Sequence, residues 1–316
     1  MRVLLFFLLF FNIVYGIEFK RFIVITPQMG IEKIIYILEH VKDHTVLRFR
    51  SGYYDFHYNR IMLNNKDCIA IEGVEGTTFN NLSLQITNGN NIRINHLRFE
   101  NGDIRVLNNN NLLFKDFRFE EANIRIDNSQ VNFYKVISQR DYNKKLVIHN
   151  SNVNIGHSVI LDNSSTVVEA VSSNIALFQN RLGLVKFIMS NLRVLENKFV
   201  YNNDLHTYFL TAIHSTMDAI GNEFLNNYGG FLIIDSKVHL ERNFFRNIVY
   251  FADIEDNSEA NLLENKTNNA KLVVKNSKIK KDRTLLLADL YALRTVFDRF
   301  RFDIDYDSLK KVNDGY

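Results

Sequence analysis

The basic side chains of this 316-residue sequence are spaced as if to meet one another. Arg98 and Arg118 stand twenty residues apart, each between apolar neighbours in LRF and FRF, and Arg105 and Arg125 repeat the interval in IRV and IRI. Such alternation turns all four outward on strands. Guanidinium groups offer rigid forks of donors to carboxylates and sulfates, so these four and Arg93 form a candidate cradle for an anionic glycan. Glu100, Asp103, Glu120 and Glu121 are interspersed with them, and the opposing reading is a surface network in which these carboxylates neutralise the arginines. Glu100 and Glu120 are also the one candidate pair of metal ligands. Tyr53, Tyr54 and Tyr58 in SGYYDFHY are candidate sugar-stacking rings, with alternation burying about half of the aromatics in that stretch.

Other chemistry is sparse. The nine histidines show no metal-site spacing, and Cys68 is the single cysteine. That leaves no disulfide and no cysteine-based zinc site. Cys68 lies in the alternating run DCIAIEG, where it reads as a packed thiol. No catalytic residue and no cofactor are expected. A formal charge of +3 is too small to argue for nucleic acid.

A repeat positions these side chains. LRVLENKF at 192–199, MDAIGNEF at 217–224 and VHLERNFF at 238–245 are copies of one phrase. The first apolar residues of all copies are Ile92, Leu112, Val131, Val153, Ile175, Leu192, Met217, Val238, Ala260 and Ile279, at an average spacing near 21. An Asn or Ser precedes nearly every copy. One column carries Phe99, Phe119, Phe199, Phe224 and Phe245, and another carries Asn180, Asn197, Asn222, Asn243 and Asn265. The spacing predicts two ladders, stacked phenylalanines inside and asparagines at a corner, the latter satisfying backbone groups that burial would orphan.

Such a period means a solenoid. The phrase matches the strand and asparagine turn of a leucine-rich repeat, but the apolar residue required three positions upstream is Ser172, Met189, His214 or Asp235. TYFLTAIHS at 207–215 and GFLIIDS at 230–236 read as second strands, where a leucine-rich repeat would place irregular or helical chain. The first sixteen residues read as a cleaved secretory signal, with an apolar run too short to span a bilayer and Ile17 beginning the mature protein. Ile34, Ile35, Ile37, Leu38 and Val41 predict an amphipathic helix over about 30–41. Leu286, Leu290, Leu293, Phe297 and Phe300 predict a C-terminal capping helix within 284–300, followed by a charged tail to 316.

The order of the entry segment, a capping helix, the strand TVLRFR, SGYYDF and then RIMLNNKDCIAIEGVEG, resembles the N-terminal portion of the right-handed parallel β-helix superfamily, the pectate-lyase-like proteins. The later I-x-x-N-x-F copies resemble its generic repeat. The resemblance implies an all-β, single-stranded right-handed parallel β-helix over 17–283, with about 21 residues per coil and about twelve coils. Enzymes of this fold need carboxylate-held calcium with a basic residue, or two carboxylates as acid and base. The sequence shows neither signature: its one proline is Pro27, which removes the Pro-containing Arg motif of pectate lyases, and the Asp-Asp and Gly-His-Gly elements of polygalacturonase-like hydrolases are missing. The expectation is therefore a secreted, non-catalytic protein, surface- or wall-associated or host-exposed, that binds a polysaccharide or surface protein along its outer face. A divergent lyase or hydrolase on an acidic glycan and a leucine-rich-repeat adaptor are the alternatives.

Overall fold

A computed structural model describes residues 19–138, 146–161, 166–200, 207–267 and 270–282. The expected signal segment, the expected C-terminal capping helix and tail, and Asn163 of an Asn-Ser-Ser sequon lie outside the described residues. The protein is all-β, a solenoid of about 11 turns with about 21 residues each. It divides into two compact units, Met1–Val136 and Ile137–Tyr316. Among the described residues no helix is long and apolar enough to cross a membrane.

In the first unit, Arg21–Ile25, Thr45–Phe49, Ile69–Glu72, Asn90–Asn95, Asn110–Lys115 and Gln130–Tyr134 form one parallel sheet, each strand bonded to its equivalent in the next coil. Gly52–Asp55 and Arg60–Asn64 supply the second and third strands of a coil, stacking on Thr77–Asn80 and Ser83–Thr87. In later coils one long strand, Arg98–Leu107 and then Arg118–Asp127, serves both positions. The helix Ile31–Glu39 buries Ile34 and Leu38, as its apolar spacing requires.

The second unit repeats the scheme. Its first sheet runs from Asn152–Gly156 through Asn174–Phe178, Asn191–Leu195, Thr216–Ile220, Lys237–Glu241 and Glu259–Leu263 to Lys278–Asp282. Strands at the second and third positions of the coils exclude the leucine-rich repeat.

The corners explain how one polar column can lie inside an apolar core. Glu196, Gly221, Arg242 and Glu264 have φ between 51° and 67°, and each immediately precedes an asparagine of the column. Left-handed backbone is unfavourable for residues with a Cβ, and the turn leaves amides facing inward. The asparagines satisfy them. Asn180, Asn197, Asn222 and Asn243 each donate from Nδ2 to Oδ1 of the next asparagine at 2.9–3.1 Å, and the last acceptor is Asn265. The same Oδ1 atoms accept the backbone N–H of the preceding asparagine. A parallel row, Ser173, Ser190, Ser215, Ser236, Ser258 and Ser277, holds the other corner by N–H to Oγ bonds of 2.9–3.2 Å. Between these corners Phe199, Phe224 and Phe245 stack almost parallel with centroids 4.7 and 4.8 Å apart, which is the strand spacing itself.

Asn222→Leu keeps the volume of the side chain but takes away the acceptor of the Asn197 backbone N–H and the donor to the Val194 carbonyl, and removes one bond each from Asn197 Nδ2 and Asn243 Oδ1. At about 1–3 kcal/mol per stranded group, partly relaxed, it should cost roughly 3–5 kcal/mol in urea unfolding. Asn174→Ala, on an exposed asparagine row, should cost less than about 1 kcal/mol.

Candidate functional site

The outer face of the first unit unites two groups that are well separated in sequence. Strand register places Tyr53 beside Thr78, Thr78 beside Arg98 and Arg98 beside Arg118, and two positions along aligns Asp55, the buried Asn80, Glu100 and Glu120. The arginines are already engaged. Arg98 Nε lies 2.6 Å from Glu100 Oε1 and its Nη2 2.6 Å from Glu120 Oε2, while Arg118 binds Glu120 Oε1. Burial works to raise the Glu120 pKa, but hydrogen bonds from Arg98 and Arg118 outweigh it and hold the carboxyl below its usual range. The carboxylates of Glu100 and Glu120 are thus committed to guanidinium groups rather than turned together toward a cation. Arg105 and Arg125 are also in register. Arg125 bonds Asp127 at 2.9 Å, whereas Arg105 is exposed and has no ion pair among the described residues.

Two expected members leave this surface. Tyr54 is 2% exposed, its ring set edge-on against Phe49 and Phe79 and its hydroxyl donating to the Arg50 carbonyl at 2.8 Å. Burial pushes its pKa up to about 12, so it is core and cannot stack on a sugar; Tyr53 and Tyr58 remain, at 57% and 77% exposed. Arg93 belongs to the other sheet, in register with Ala70 and Leu113 and 5.8 Å from the centroid of the Phe19 ring. The left-handed corner at His96, φ 54°, separates it from Arg98.

The second unit holds a surface that sequence reading missed. Register aligns Tyr208, Gly229, Tyr250 and Lys271 at a constant interval of 21. Tyr208 packs edge-on to Tyr228 at 5.8 Å, Tyr228 lies 4.9 Å from Tyr250, and Lys271 Nζ sits 5.6 Å from the Tyr250 ring centroid. Gly229 makes this possible: a Cβ there would stand 2.1 Å from Tyr208 Cδ1, so the ring lies flat across the glycine. From there its hydroxyl crosses to Asp253 Oδ2 at 3.0 Å. Asp253 is half-buried, and its Oδ1 is buried with no hydrogen-bond partner among the described residues. Burial and then Glu255 raise the Asp253 pKa, and burial and then Asp253 raise that of Tyr208. The arrangement is three rings beside a carboxylate with one buried, unsatisfied oxygen. The available signal was the 21-residue interval itself, hidden because its second member is glycine.

No protein-family model matches the sequence, and no curated protein matches it. The fold, a parallel β-solenoid, is shared with solved structures of low sequence identity. The surface adhesin PfbA of Streptococcus pneumoniae aligns with a TM-score of 0.53 at 13% identity, over 79% of this chain and 84% of that one. The A-module of the mannuronan C-5 epimerase AlgE6 from Azotobacter vinelandii gives 0.44 at 10% identity, over 80% and 94%. A mannuronic-acid-specific family 6 polysaccharide lyase from human gut microbiota gives 0.38 at 8%, over 94% of each chain.

Gly229→Ala should displace Tyr208 and break its bond to Asp253, seen as a downward shift of the Tyr208 titration in ultraviolet difference spectra. A second expectation follows from the sign of the Asp253 shift. A carboxyl raised above its ordinary 3.8 binds its proton more tightly when folded, so its stabilising contribution is full below that pH and is lost as pH rises through the folded value. Asp253→Asn should remove this slope, and its melting temperature relative to the parent should climb as pH rises from about 4 to 7.

Proposed function

We propose that this protein acts outside the cell or at its surface, binding a polysaccharide without cleaving it along the outer face of its β-helix. The fold is shared by a surface adhesin, so it does not choose between holding and cutting a polymer. The observation that carries the reading is the platform of Tyr208, Tyr228 and Tyr250 beside Asp253. Sugar rings offer C–H faces that pack on aromatic rings and hydroxyls that donate to a carboxylate. Asp253 Oδ1 is buried without a partner among the described residues, and turning it outward to accept a sugar hydroxyl would satisfy it. The row of Tyr53, Thr78, Arg98 and Arg118 is the proposed second contact, where an acidic sugar would compete with Glu100 and Glu120 for the guanidinium groups. Tyr58 and Arg105 extend that face.

A second reading draws on the raised pKa of Asp253 and on Glu255, two residues along the same strand. An acid poised to give up a proton beside a second carboxylate is the equipment of glycoside cleavage. Here Glu255 is paired with Lys275, which favours holding over cutting.

A glycan array read with the parent chain, Tyr228→Ala and Tyr250→Ala, alongside assays for unsaturated uronates and new reducing ends, tests both readings. Binding without product, weakened by about tenfold or more in each tyrosine variant, is the expected result. Equal binding by the variants would remove the platform from the account, and product formation that Asp253→Asn abolishes would establish the enzyme instead.

A further inference from the structure

The geometry points to a divalent-metal site of the zinc type formed by His44, Asp67 and Cys68 in the first coils. Two partly exposed asparagine rows lead down to it. Asn111 Nδ2 donates to Asn91 Oδ1 at 2.7 Å, and Asn110 Nδ2 to Asn90 Oδ1 at 3.3 Å. One coil lower the amides end. Asn91 Nδ2 faces Cys68 Sγ at 3.9 Å, and Asn90 Nδ2 donates to Asp67 Oδ1 at 3.0 Å. One coil lower still, His44 pairs through its backbone N–H with the Asp67 carbonyl at 3.1 Å.

An asparagine amide both accepts and donates, so a row of them can continue indefinitely. Cysteine, aspartate and histidine side chains converge at this end of the rows, and once a metal displaces the thiol proton their ligand atoms offer lone pairs to it. One ligand atom from each of the three residues lies within 4.8 Å of the others. His44, Cys68, Asn91 and Asn111 all occupy left-handed corners, with φ between 52° and 59°, so the backbone that aligns the amide row also aims the ligands. The Asp43 carboxylate accepts the Asp67 backbone N–H at 2.9 Å and steadies the turn.

Sulfur, nitrogen and oxygen donors together suit a borderline ion, and three protein ligands leave one tetrahedral position for water. Binding forms one bond each to Sγ, an imidazole nitrogen and a carboxylate oxygen and releases the thiol proton to solvent; no electron is transferred. The expectation of no cysteine-based zinc site rested on the cysteine count. Coil stacking brings a histidine 24 residues away within reach of Cys68. This site is independent of the tyrosine platform.

Titrating the full chain with Co2+ should give one equivalent bound, with a thiolate-to-cobalt absorption that Zn2+ displaces. Cys68→Ser should abolish that absorption, and it, Asp67→Asn and His44→Asn should each weaken Zn2+ binding by at least about tenfold. Cys68 is the one thiol and is buried, so its slow alkylation by iodoacetamide, followed over hours, reads the site in the unaltered chain, and Zn2+ should slow it further. Absence of stoichiometric metal, undiminished alkylation with Zn2+ present, or Zn2+ affinity unchanged in Cys68→Ser would overturn the assignment.

Discussion

In-register stacking of each coil on the next is the constraint on which everything else in this protein depends. Parallel pairing at ~4.8 Å brings every residue beside its equivalent one coil away. A residue type repeated at the coil interval therefore becomes a continuous row, whatever its chemistry. Where the row points inward it must be apolar or self-satisfying: phenylalanine stacks on phenylalanine, and asparagine bonds asparagine. Where it points outward the same rule builds surfaces, and like charges need a neighbouring row of opposite sign. Arg98 and Arg118 meet this demand through Glu100 and Glu120.

The inward rows carry stability and the outward rows carry the proposed binding surfaces, and the two differ in how much change they tolerate. Removing one asparagine from the inner column strands several polar groups at once, because each member serves two coils. An exposed row loses little when one member changes. The tyrosine platform lies between these cases. Its hydroxyl and carboxylate are half-buried and mutually bonded, and its three rings are partly exposed. A half-desolvated acceptor of this kind costs the fold something, as the raised Asp253 pKa records, and a ligand hydroxyl would recover part of that cost.

The sequence made the scaffold legible because the repeat is a statement about rows: the phenylalanine and asparagine columns, the second strands and the helix at Ile31–Glu39 could all be read from spacing. The serine row was visible as a recurring Asn or Ser, but its hydrogen bonds depend on corner geometry that spacing does not carry. Arg93 was grouped with Arg98 because five residues separate them, yet a corner lies between and sends them to different sheets. Tyr54 and Tyr53 are adjacent in sequence and opposite in orientation. The platform stayed hidden for a physical reason as well. Its register reads Tyr, Gly, Tyr, Lys, and only the structure shows that glycine is there to let one tyrosine lie across it. Cys68 and His44 are 24 residues apart, longer than the average coil, so their convergence escaped the period.

The proposed binding is tested most directly by where a sugar polymer touches the chain. Hydrogen–deuterium exchange, with and without the oligosaccharide that binds best, reports this without altering any residue. Slowed exchange concentrated in Tyr208–Ile213, Glu223–Ile234 and Phe244–Glu255 is the predicted result. Slowed exchange confined to other segments, or none under saturating oligosaccharide, would contradict it.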